Sequence, residues 1–164
     1  MNIFVLSLCP SLCAKYHNDK HVVKMILEYA QLLCTAHHEL DNNPNSNLYK
    51  SAFKNHPCAI WVRESSGNYC WLYILFKYLC KEYTYRYSNK LKQKHHMAEI
   101  KLLDILHNVP SNIPFGNITK FPQAMPDDVK HNNSIIAYKQ YYNKYKRPFC
   151  KWRKRNIPYW FEIN

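Results

Sequence analysis

The chain has 164 residues, 47% of them hydrophobic, enough for one domain with a sizeable core and too few for two comfortable ones. A formal net charge of +12 with nine further histidines points to a polyanionic partner, nucleic acid ahead of an anionic membrane. Only two glycines, Gly67 and Gly116, are present, which excludes glycine-rich phosphate loops and dinucleotide fingerprints.

The N-terminal stretch Met1 to Cys9 is too short and uncharged for a signal peptide, and no stretch approaches bilayer-spanning length. A reducing, intracellular compartment is therefore expected. The seven cysteines form an odd set, several in apolar helical contexts, and are expected as free thiols. The richness in Asn, Lys, Ile and Tyr resembles translation from an AT-rich genome, and a viral or phage source fits it.

In chain order, a short apolar segment from Ile3 to Leu8 precedes a long helix expected from about Pro10 to His38, with proline at a favourable early position. At a spacing of three or four, His17, His21, Lys24, Glu28, Gln31, Thr35 and His38 share one face of it. Most of the remaining girth is apolar, so this polar stripe should line a cleft, where imidazoles, an amine and a carboxylate can exchange protons. Asp41 to Asn47 ends the helix. Asn55-His56-Pro57 then reads as a cap with proline just inside a second helix, which carries Ile60, Trp61, Trp71, Leu72, Leu75, Phe76 and Leu79 toward the core. Ser65 to Asn68 marks a kink or break in it. Its free N-terminal amides form a ready anion seat, with His56 and Arg63 as side-chain supplements.

An outer helix is expected from about Asn89 to His107, with Ile100, Leu103 and Leu106 on its inner side. Pro110, Pro114 and Pro122 make an irregular connection as far as Met125, and a last helix should run from Asp127 or Ser134 to Lys146. No hairpin signal appears. A single all-α domain of four to five helices over 1–164 follows, with a basic aromatic tail at 147–164.

That tail is the clearest electrostatic feature. Between Asp128 and Glu162 there is no acidic residue, while Lys139, Lys144, Lys146, Arg147, Lys151, Arg153, Lys154 and Arg155 lie there. Tyr138, Tyr141, Tyr142, Tyr145, Phe149, Trp152, Tyr159 and Trp160 are interleaved, offering ring faces for packing or for base stacking beside cations for phosphates. Glu82 and Arg86, four apart, read as an ion pair on the surface. His17 and His21 could both reach a zinc, but the zincin's general-base Glu is Asn18 here, so neither a metal nor another cofactor is expected.

Ala14-Lys-Tyr-His17 on an early helix, Asn55-His56-Pro57 with Trp61 and Arg63, and the helix ending Leu79-Cys-Lys-Glu82-Tyr-Thr-Tyr-Arg86, followed by the basic aromatic tail, resemble the pyrimidine-dimer DNA glycosylases of the bacteriophage endonuclease V type. The resemblance implies a compact all-α protein without a metal that flips a base at a UV-damaged site, attacks the sugar through an amine, and nicks the strand through a Schiff base. In that family the amine is the α-amine freed by removing Met1. Residue 2 here is Asn, whose size disfavours that removal, and the family's glutamate on the first helix is met only by Lys24 or, a turn on, Glu28.

The stripe offers its own mechanism. Lys24, partly desolvated and pressed by His17 and His21, would serve as the amine nucleophile, and Glu28 as proton shuttle, with Arg63 and the cations from Lys139 to Arg155 on the phosphates. Three other readings stay open: a non-catalytic nucleic-acid-binding protein, an enzyme acting on a nucleotide or modified base, and a structural protein of a particle packed around nucleic acid.

Overall fold

A computed structural model describes residues 1–162 as all-helical, with six α-helices and no strand among the described residues. They are α1 (Pro10–Tyr16), α2 (Asp19–Leu40), α3 (Pro57–Glu64), α4 (Ser66–Tyr87), α5 (Met97–Leu102) and α6 (Ser134–Tyr141). After α6 the chain continues through a π-helical turn, Tyr142–Lys146, and a short 3-10 turn, Arg147–Phe149. The two 22-residue helices, α2 and α4, are each about 33 Å long and pack on one another. Helix α1 lies against α4, and α3 bridges both long helices.

Local chemistry sets the boundaries. Pro10 opens α1, and the expected continuous helix to His38 breaks after Tyr16, because His17 and Asn18 are both extended. Asn18 then caps α2, its side chain accepting the His21 N–H at 2.9 Å. His56 caps α3 through Nδ1, which accepts the Cys58 N–H at 3.1 Å. Ser65 Oγ accepts the Asn68 N–H at 3.1 Å, so the kink expected in the second helix is a full restart as α4.

The expected outer helix is much shorter than its periodicity suggested. Residues 89–96 are irregular and α5 is only six residues long, with Ala98, Leu102 and Leu106 inward and Met97 and Ile100 exposed. Ile60, expected inward on α3, is exposed as well. No helix among the described residues is long and apolar enough to cross a membrane.

The core is one connected cluster centred on Tyr29, Ile26, Leu33, Tyr69, Leu72, Phe76 and Leu79. Into it runs the N-terminal segment, with Ile3, Phe4, Val5 and Leu6 buried without a strand partner. Its backbone groups are met by side chains instead, as buried polar groups require: Phe4 N–H donates to the Tyr29 hydroxyl at 3.2 Å and Leu6 N–H to Cys13 Sγ at 3.3 Å.

The proline-rich connection is ordered by the chain's two glycines, which meet. Gly67 N–H donates to Gly116 O at 2.9 Å, and a Cβ on Gly67 would fall 2.7 Å from that same oxygen. Glycine is needed there because backbone lies where a side chain would be. The connection then buries Phe121 between Trp61 and Trp71, with ring centroids 4.9 and 4.7 Å away, and brings Ala124 over the N-terminus.

Candidate active site

Residue 2 is the pivot of the site. Asn2 is 8% exposed, and its side chain is held on both ends: Nδ2 donates to Ala124 O at 2.8 Å, while Oδ1 accepts the Tyr138 hydroxyl at 2.7 Å and the Ile3 N–H at 2.8 Å. Its backbone nitrogen is thereby aimed at α2, where it donates to Glu28 Oε2 at 3.3 Å. The other oxygen of the same carboxylate, Oε1, faces Lys24 Nζ at 3.4 Å. One carboxylate thus stands between two nitrogens. Half-buried His56 borders the cluster, its imidazole held below its usual range first by burial and then by the positive N-terminus nearby.

Lys24 and Glu28 therefore do face one another, but not in the setting the stripe suggested. The Lys24 side chain is 71% exposed, so the desolvation expected of it is missing, whereas Glu28 is largely covered. His17 is not on α2 at all; it follows α1 and is fully buried. A carbonyl only accepts, so His17 Nδ1–H donates to Cys13 O at 2.8 Å and Nε2 accepts the Tyr29 hydroxyl at 2.8 Å. His21 stacks on Phe4 with centroids 4.2 Å apart and its Nδ1 is hydrogen-bonded to the Tyr142 hydroxyl at 2.6 Å. Both imidazoles are buried struts, bonded to Cys13, Tyr29 and Tyr142 and not to Lys24 or Glu28. Among the described residues no three His, Cys, Asp or Glu side chains converge as a metal would require.

These struts predict an acid sensitivity. Burial pushes the His17 imidazole down to about 4 and lowers His21 strongly as well, with the charges of His17, Lys146 and Lys24 adding to the effect on His21. The unfolded chain takes up protons first, near 6.5, so this stability is complete above that pH and drains away as pH falls toward 4. Stability should drop by roughly 2 kcal/mol between pH 7 and pH 5 for His17 alone. Urea titrations of His17→Gln and the parent at both pH values check this, since the drop should be smaller in the variant by about that amount, with the share of His21 remaining.

A family model described as pyrimidine dimer DNA glycosylase matches residues 1–95, more than half of the chain. The chain belongs to that family. Comparison with curated proteins and with solved structures gives no match. The matched stretch of this glycosylase-family chain holds Asn2, Lys24, Glu28, His56 and Arg63, and also Glu82 and Arg86.

Arg86 corrects the expectation of a surface pair. It is fully buried at the end of α4: Nε donates to Glu82 Oε1 at 2.7 Å, Nη1 to His17 O and Asp19 Oδ1 at 2.9 Å, and Nη2 to Lys15 O at 3.0 Å. Arg155 closes the network with a two-pronged contact to Glu82 at 2.9 Å. The junction between α1 and α2 is thus anchored to α4 and to the tail.

Much of the tail's charge is used internally. Besides Arg155, Arg147 pairs with Glu162 at 3.0 Å, Lys144 with Asp128 at 2.5 Å, and Lys154 donates to the terminal α4 carbonyls of Tyr85 and Ser88. Trp152, read as a stacking residue, is a core residue that donates its indole N–H to Tyr16 O. Arg63 donates to Lys54 O at 2.7 Å and acts as a brace for the loop before α3. Lys139 lies over the Tyr159 and Trp160 rings at 5.5 Å, and Lys146, Lys151 and Arg153 remain, Lys146 lying over the Tyr141 ring at 4.5 Å. Changing these three to glutamine should flatten the plot of log affinity against log salt by roughly 0.9 for each phosphate no longer neutralised, with folding unaffected; an unchanged slope would remove them from the interface. Truncating the tail cannot serve as this test, because it would take Trp152 and Arg155 out of the fold.

Proposed function

We propose that the protein is a DNA glycosylase and lyase for pyrimidine dimers, in which an amine held at the Glu28 carboxylate attacks the sugar of the damaged nucleotide. The observation that carries the reading is that carboxylate's position between the nitrogen of Asn2 and the amine of Lys24. The family membership supplies the substrate class.

The nitrogen of residue 2 is the better nucleophile of the two. It is covered, aimed and fixed by the Asn2 side chain, and removal of Met1 would convert it from an amide to an amine. The amine then forms a bond to C1′ as the glycosidic bond breaks, the bonding pair leaving with the pyrimidine, and the nitrogen's proton passes to Glu28. The C1′–O4′ bond then breaks as the nitrogen's lone pair forms the iminium, and Glu28 returns its proton to O4′; the iminium acidifies C2′, and Glu28, so freed of its proton, takes the C2′ proton as the 3′-phosphate departs, which nicks the strand. Lys24 is the second reading, favoured because its amine needs no processing. Extrusion of the damaged nucleotide suits such a mechanism, since a dimer is weakly stacked and cheap to unpair. Lys146, Lys151, Arg153 and the exposed Lys20 would grip the flanking phosphates.

The deciding experiment incubates the protein with UV-irradiated and unirradiated duplex of one sequence, with and without borohydride. Nicking and a reduced covalent adduct on the irradiated strand are expected, and the mass of the adduct peptide tells residue 2 from Lys24. Binding without either product on the irradiated strand would overturn the reading in favour of a non-catalytic binder.

A further inference from the structure

Phe53 combines two features that do nothing for the folded chain. Its backbone is left-handed, with φ of 51°, where a bulky residue is strained and glycine or asparagine would sit at ease. Its ring is 72% exposed, so it contributes little to the core. The strain is imposed from both sides. Ala52 N–H donates to Thr35 Oγ1 on α2 at 3.1 Å, His56 N–H closes the turn on Phe53 O at 2.8 Å, and Arg63 clamps Lys54 O.

The turn's place gives this a meaning. It starts at Thr35, which follows Glu28 and Gln31 along the same face of α2, and it ends at His56 and Cys58, whose Sγ lies 4.0 Å from Asn2 Oδ1. Phe53 thus sits in a turn tied at one end to α2 about two turns beyond Glu28 and at the other to the segment beside Asn2. Lys50 and Lys54, both exposed, flank it at three residues before and one after, Lys54 reaching Glu39 at 3.5 Å. An apolar ring held rigidly in water between two cations, in a turn tied to both segments of a reaction centre for DNA, matches the needs of a side chain that enters a base stack while its neighbours meet phosphates.

We propose that Phe53 is a wedge that inserts between bases of the damaged duplex and fills the space left by the extruded nucleotide. This rests on the functional reading above. Arg63 and Thr35 are positioning residues for it, holding the turn in its strained form.

The test uses the full chain with Phe53→Ala, Phe53→Gly and Phe53→Trp. The alanine and glycine variants should cut dimer-containing duplex at least tenfold more slowly in single turnover while binding undamaged duplex within twofold of the parent. Phe53→Gly should also melt at a higher temperature, because glycine relieves the backbone; a merely structural phenylalanine would give the opposite shift. Phe53→Trp should keep most activity, and its added emission should be quenched by a duplex carrying a tetrahydrofuran abasic analogue and not by intact duplex. Parent-like cleavage by the alanine variant, or equal tryptophan emission on both duplexes, overturns the wedge. If the parent itself cuts no irradiated duplex, the functional reading fails, while the emission difference still decides the wedge on its own.

Discussion

Glu28→Gln is expected to lower single-turnover cleavage of dimer-containing duplex by 10² to 10⁴-fold, on the order of what a positioned proton-transfer group contributes. The substitution keeps the shape and can still accept the Asn2 N–H at Oε1 or its equivalent, so the N-terminal segment and α2 should stay where they are. What it removes is the capacity to take a proton and the negative charge that faces both nitrogens. Affinity for duplex should hold or rise slightly, since a carboxylate near phosphate is repulsive. Borohydride trapping divides the role further. Loss of trapping together with loss of nicking places Glu28 at the attack on C1′, whereas retained trapping with no nicking places it only at the C2′ proton. Parent-like rates in both assays would leave the carboxylate as an anchor for the N-terminus and would return the search to Lys24.

How far this site could be read from the chain depends on the range of the interactions that build it. The α2 face carrying Lys24 and Glu28 is legible because the pair is four residues apart on one helix. His56-Pro57 is legible for the same reason, being a local cap. The break at His17 was hidden because Asn18-Asp19, a good cap and first-turn residue, sits inside a charged run that also suits a helical stripe. The fate of His17 and His21 was beyond reach: it depends on Phe4, Tyr29 and Tyr142, and the last lies 121 residues away from its partner. Asn2 shows the same limit, since Ala124 and Tyr138 arrive from the far half of the chain. Its only signal in the sequence was its number, the position at which the family's amine resides. The tail misled in a different way. A count of cations gives a field, but Asp128, Glu162 and above all Glu82 meet three of them, Lys144, Arg147 and Arg155, and a count cannot show which.

Arg86→Met is expected to cost the fold roughly 3–5 kcal/mol, the range for breaking a buried ion pair from one side. Against the roughly 5–15 kcal/mol of an ordinary domain, that is a large fraction. The loss comes less from the missing attraction than from what stays behind. Glu82, 4% exposed, would keep only Arg155, and the carbonyls of Lys15 and His17 would lose their donors at the junction of α1 and α2. Glu82→Met together with Arg86→Met should therefore be less damaging than Arg86→Met alone, because no uncompensated carboxylate remains and partly exposed Arg155 can turn to water. Urea denaturation of the two variants measures the difference, and a double variant worse than the single one would show that the guanidinium's bonds to the junction matter more than its pairing with Glu82. Either outcome bears on function, because the junction fixes Asn18, the cap of the helix that carries Lys24 and Glu28. The buried arginine acts on the site at a distance: it sets where α2 begins, and so where along the N-terminal segment its carboxylate falls.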